Sequence, residues 1–414
     1  MANIVDYLRW RGDVKVSERP FNDVDNLVLS ALSYIDFQGV VPAPGKGSIS
    51  LGDACRKVLD AHRSEFSDCV KSLAKVTEEF LEVLAESPRF CDMALHDYVD
   101  VLDEEKLVQF AALQVDVSLL ELYVAFRGTD DSLVGWREDF MLTFTIPGAH
   151  HRAARYLEDA LRARRWLPVS VYVGGHSKGG NLALYAAMTC PEKLARKVMR
   201  VWSNDGPGLA PEVIEESPAE KLGERYRRIV PANDMVGIIF EREDDPSIVV
   251  KSSASGPSGH DLFTWEVDAF GVIEDERGLT LESQRIREGL KNWVERMPID
   301  QRVNFVSEFF EALAAGGARN VSEVFENRQA MVSVINAMGD MTEETKQMLL
   351  SLTSLVITNR AAAATSAAQD WAGMALRRAR GVLLDLRPQQ GHGKAPASKD
   401  DSGSLLEESL DTVE

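Results

Sequence analysis

A chain of 414 residues, 45% apolar and 27% charged, can bury a large core and has the composition of an ordinary globular protein. Its formal charge of -19 would repel a polyphosphate backbone, which excludes nucleic acid as an expected partner. No apolar run reaches the roughly 18 residues that a membrane span needs, and the N-terminus turns polar at once, so neither a transmembrane segment nor a secretory leader is expected and the chain reads as cytoplasmic.

In chain order, Asn22 and Asp23 offer caps for a helix over 21–35, with Val24, Leu27, Val28, Ala31 and Leu32 at helical spacing. A second helix is expected through 70–85. Cys55, Cys69, Cys91 and Cys190 form no CxxC pair and have no metal-ligand spacing with histidine, so they are expected to be reduced and packed. The β-rich runs 108–115 and 120–126 read as a hairpin whose second strand ends at Arg127-Gly128-Thr129. Helix 151–164 precedes a strand at 169–173; further strands are expected at 197–203, 227–230 and 248–250, alternating with helices as βαβ units. From Leu281 the pattern turns helical, at 283–297, 302–315, 321–338, 343–358 and an alanine-rich stretch to Leu386, and the segment from Pro388 has little to bury and reads as disordered. The expected organisation is a mostly parallel α/β domain over 1–275, a helical unit over 276–386 and a tail over 387–414.

The chemistry centres on Gly175-His176-Ser177-Lys178-Gly179, which lies between an apolar strand and the small-residue helix beginning near Asn181. This is the GxSxG nucleophile elbow, in which a turn too tight for a Cβ on either side thrusts the serine hydroxyl outward. Serine is a poor nucleophile at neutral pH and needs a histidine base, itself oriented by a carboxylate. Only His260 and His392 lie downstream, the latter in the tail, so His260 is the expected base. The candidate acids are Asp205, Asp234 and Asp261; adjacency to the base counts against Asp261, while Asp205 and Asp234 both follow apolar strands at the carboxyl edge, where open α/β sheets bind ligands. Spacing leaves those two open. Oxyanion donors are expected from the Lys178 backbone N–H and from Thr129, by its amide and its hydroxyl, with Gly128 permitting the turn and Arg127 holding the loop by an ion pair.

Ala125-Phe126-Arg127-Gly128-Thr129, Trp136 and Asp139, the segment Gly175 to Ala183 and Asn233-Asp234-Met235-Val236 together resemble class 3 lipases. The resemblance implies an α/β-hydrolase fold, an oxyanion role for the FRGT segment, a lid in the Trp-containing stretch, and Asp234 as the acid. Asn22 to Ser30, Tyr34 to Phe37 and Asn204 to Gly208 also look like an uncharacterised bacterial family of lipase-like hydrolases. Where class 3 lipases carry Gly-Ser-Pro-Arg this chain has Asn204-Asp205-Gly206-Pro207, which keeps Asp205 as a rival acid, and only Leu133, Val134 and Trp136 are apolar enough for a lid. The loops at 130–147 and 205–220 are expected to shape the pocket.

The function these residues imply is acyl-enzyme hydrolysis of a small-molecule ester or lipid (an acylglycerol, phospholipid or thioester) with no metal and no organic cofactor. The alternative is an interaction protein on a hydrolase scaffold that recruits a partner through its helical unit. Peripheral membrane contact is suggested by Trp371, Met374, Leu376 and Val382 to Leu384 interleaved with Arg377, Arg378 and Arg380.

Overall fold

A single sheet runs in chain order through β1 (Ser48–Ser50), β2 (Ala94–Asp103), β3 (Val108–Ser118), β4 (Glu121–Phe126), β5 (Ser170–His176), β6 (Val198–Asn204), β7 (Tyr226–Pro231) and β8 (Ser247–Val250). The computed structural model describes residues 1–315 except 73, 74, 131, 143, 243, 244, 255 and 297. The expected helices beyond 315, the stripe at 371–384, His392 and the tail lie outside the described residues. β1 to β4 pair antiparallel as a meander, and β4 to β8 pair parallel, so the second half of the sheet is the α/β layer expected from the alternating pattern.

The helices are α1 (Ile4–Arg11), α2 (Asp23–Leu32), α3 (Leu51–His62), α4 (Glu78–Glu86), α5 (Leu133–Leu142), α6 (Gly148–Ala163), α7 (Lys178–Thr189), α8 (Glu192–Ala195), α9 (Pro218–Leu222), α10 (Leu281–Arg296) and α11 (Ile299–Ala315). Strand side chains alternate between two cores. Leu122, Val124 and Phe126 of β4 join Val171, Val173 and Val201 under α6 and α7, while Tyr123 and Ala125 join Trp202 and Ile229 under α1 to α4. All four cysteines are free thiols. Among the described residues no helix is long and apolar enough to cross a membrane.

Several elements differ from the sequence reading. The helix expected over 70–85 begins only at Glu78, where the Thr77 hydroxyl accepts from the Phe80 amide as an N-cap. β2 escaped notice because Asp97, Asp100 and Asp103 interrupt its alternation, and a bulge between His96 and Val99 shifts its register, with Asp97 at φ 53°. The stretch read as loop at 130–147 contains α5, started by the Ser132 hydroxyl accepting from the Gly135 amide at 3.0 Å.

Candidate active site

Ser177 stands between β5 and α7 with φ 57° and ψ -130°, a left-handed conformation that an L side chain adopts only when its surroundings impose it. The flanking glycines impose it by close approach: a Cβ on Gly175 would lie 2.4 Å from the Gly179 carbonyl carbon, and one on Gly179 would lie 2.2 Å from the Phe126 carbonyl oxygen. The Ser177 amide donates to Asn204 O at 2.9 Å, which fixes the elbow to the end of β6. Asn204 is paired in register with His176, so the next residue of each strand, Ser177 and Asp205, emerges side by side at the carboxyl edge. Asp205 shares the serine's unusual backbone, with φ 48°.

His260 reaches this edge from a short 3-10 turn, Gly256–His260, after β8. Its Nδ1 lies 2.6 Å from Asp205 Oδ2, so the ring donates to the carboxylate through Nδ1 and keeps Nε2 as its acceptor. Burial lowers the imidazole's pKa from 6.5 to about 4, against the opposing pull of nearby carboxylates, and so keeps the ring neutral. Asp205 is fully buried, and burial is also what raises its pKa.

The carboxylate that meets His260 is therefore Asp205, not Asp234, which the resemblance to class 3 lipases had favoured. Asp234 is fully buried, with Oδ1 accepting from the Val236 and Gly237 amides at 2.9 and 2.8 Å. The Gly237 amide also reaches Asp205 Oδ1, at 3.1 Å. Asp261 is engaged elsewhere, accepting the Phe263 amide at 3.1 Å and the Lys75 amide at 3.4 Å. β6 and β7 are neighbours, each followed within three residues by an aspartate, and the sequence carries no signal of which one the His260 turn will reach.

Residues that sequence reading assigned no role hold these groups in place. His176 is buried, and its Nε2 donates to the His260 carbonyl at 2.8 Å; its Nδ1 is left to accept from the Tyr34 hydroxyl at 2.7 Å. Trp265 Nε1 donates to Gly259 O at 2.8 Å, a second anchor for the histidine turn. Asn204 Nδ2 donates to Ser30 Oγ and Gly175 O, both at 3.0 Å, while its Oδ1 accepts from Asn26 of α2 at 2.9 Å. Asn181 of α7 donates to the Pro207 and Gly208 carbonyls at 3.0 Å and clamps the loop that follows Asp205.

On the other side of the elbow, Arg127 makes the expected ion pair, to both oxygens of Asp100 at 2.7 and 2.8 Å. The Thr129 hydroxyl does not stay free for an oxyanion, because it donates to Asp139. The Lys178 side chain is buried, with Nζ 2.7 Å from Glu138 and 3.0 Å from Gln109 Oε1. Glu138 also accepts the Gln109 and Ala149 amides at 2.9 and 3.0 Å, which fastens α5 to β3 and α6. Leu133, Val134 and Trp136 all lie on this anchored helix. α11 leans on it: the Phe140 and Phe310 rings meet edge-on at 5.6 Å, and Arg302 lies 5.9 Å from the Phe144 ring centroid.

A mostly parallel sheet with helices on both faces and a strained serine at a strand-to-helix elbow define an α/β-hydrolase. Within that class the chain belongs to the Mbeg1-like family, whose model matches residues 84–311. No curated protein matches the chain. Solved structures similar to it include a fungal lipase–inhibitor complex, at 15% identity and TM-score 0.30 over 49% of this chain and 78% of that one. A propeptide complex of Rhizomucor miehei lipase aligns at 19% identity and TM-score 0.28, over 44% of this chain and 60% of that one. M37 lipase aligns over 80% of this chain and 97% of its own, at 13% identity and TM-score 0.34.

Proposed function

We propose that the protein is a serine hydrolase of carboxylic esters, with Ser177 as nucleophile, His260 as general base and Asp205 as the acid that orients it. The observation that carries this reading is the 2.6 Å contact of His260 Nδ1 with Asp205, one residue beyond a strand pair whose other member leads into Ser177. The Ser177 hydroxyl attacks the acyl carbon while His260 Nε2 takes its proton; the same proton then passes to the departing alcohol or thiol, and water releases the acyl group. Asp205 holds the tautomer that presents Nε2 as acceptor and steadies the imidazolium. The Lys178 amide, at the first turn of α7 with no intrahelical partner, and the Thr129 amide supply the oxyanion site. Support for a neutral base at physiological pH comes from the burial that depresses the His260 pKa.

The test is fluorophosphonate labelling together with turnover of p-nitrophenyl esters of graded chain length. Ser177→Ala should abolish both. Labelling that survives the substitution would place the nucleophile elsewhere.

A further inference from the structure

We infer that Asp234 carries a proton at working pH and donates it to Asp205, so that it positions the residue that orients His260 instead of orienting the imidazole itself. This rests on the assignment of Asp205 made above. The two carboxyl groups are sealed from solvent and converge on one donor, the Gly237 amide, 2.8 Å from Asp234 Oδ1 and 3.1 Å from Asp205 Oδ1. Only glycine permits that convergence: a Cβ at 237 would lie 2.7 Å from Asp205 Oδ1 and 2.7 Å from Asp234 Oδ2. One N–H cannot satisfy two ionised carboxylates brought this close in a medium without water.

The surrounding charges relieve the pair only in part. Three groups face it: His260, neutral, from the turn after β8; Arg228 on β7; and Glu241 in the loop beyond. Arg228 Nη1 is taken by Glu241 at 3.0 Å and by Ser247, and its Nη2 stands 3.6 Å from Asp234 Oδ2, beyond hydrogen-bond reach. Arg287 comes only within 3.9 Å of Glu241 and is 41% exposed, so solvent screens its charge. Three carboxyl groups thus share one buried guanidinium, and a single proton removes the excess.

That proton belongs on Asp234. Asp205 accepts from His260 and from Gly237, whereas Asp234 Oδ2 is buried without a hydrogen-bond partner among the described residues; protonated, it becomes a donor beside the Asp205 carboxylate. Burial first, and the Asp205 charge second, push the Asp234 pKa well above the ordinary carboxylate value.

The experiment compares Asp234→Asn, Asp234→Leu and Asp205→Asn by kcat and KM, with an infrared difference spectrum of wild type minus Asp234→Asn at neutral pH. Asparagine keeps a neutral donor, so Asp234→Asn should hold kcat within about ten-fold of wild type, while leucine, which cannot donate to the charge, should fall a further 10–100-fold or so. Asp205→Asn should lose about 10³–10⁴ in kcat with little change in KM. The difference spectrum should contain a protonated-carboxyl carbonyl band. An Asp234→Asn loss as deep as that of Asp205→Asn would make Asp234 the orienting acid and overturn the inference, as would absence of the band. The spectrum needs no turnover and a folded Asp234→Asn protein only, so it reports on the proton even if Ser177→Ala shows the hydrolase reading to be wrong.

Discussion

Individual residues set the readiness of the site. A left-handed serine is uncomfortable on its own, and the discomfort is tolerated because Gly175 and Gly179 leave no room for another path. His176 shows how far the support reaches. Its one donor holds the His260 backbone and its one acceptor is filled by Tyr34. Tyr34→Phe strands a buried nitrogen and should cost about 1–3 kcal/mol of stability, read as a lower urea midpoint at unchanged m. The same logic gives a pH expectation for activity. Because burial lowers the His260 pKa to about 4 and raises that of Asp205 to about 6, the proposed orienting carboxylate is the first of the two to take a proton on acidification, and the acidic limb of kcat/KM should fall near pH 6. A limb near 4 would mean that Asp205 stays ionised and that the imidazole alone sets the fall. A five-residue motif and a shortage of histidines single out Ser177 and His260 in the sequence as the candidate nucleophile and base. Which carboxylate meets His260 is not legible there: Asp205 and Asp234 both follow strands of one sheet, and the choice between them depends on the path of a turn some fifty and more, and some twenty-five, residues away respectively.

At the level of elements, the parallel strands and their helices were readable because period-2 and period-3.6 patterns are strong there. α5 was hidden because its restraints lie outside it. Glu138 is held by Lys178, Gln109 and Ala149, from three separate elements, and no local pattern announces such a clamp. Lys178 and Glu138 are 1% and 0% exposed, so losing one partner leaves the other buried and uncompensated. Lys178→Met or Glu138→Gln should each cost about 3–5 kcal/mol, and the double substitution less than the sum of the two. Chemical denaturation of the four proteins measures this; additive losses would mean that the pair does not act as a unit.

Over the whole molecule, two sets of buried groups pull stability in opposite directions with pH. His150 and His260 are held near pKa 4 by burial, below the 6.5 of an unfolded imidazole, so the stability they confer is complete above 6.5 and is lost as pH falls through about 4. Asp139 and Asp205 are raised by burial from 3.8 to about 6, so their contribution is complete below 3.8 and is lost as pH rises through about 6. Asp139→Asn removes one of the compensating carboxyls and should steepen the loss of stability between pH 6.5 and 4, visible in urea midpoints at three pH values. The hydrogen bonds of Asn26, Ser30 and Tyr34 have a further consequence, since all three residues precede the stretch that matches the family model, which begins at residue 84. A recombinant piece spanning only 84–311 would contain Ser177, Asp205 and His260 and yet lack their rear buttress. Anyone trimming, fusing or transplanting this protein has to carry the first three dozen residues along with the sheet that holds those three side chains.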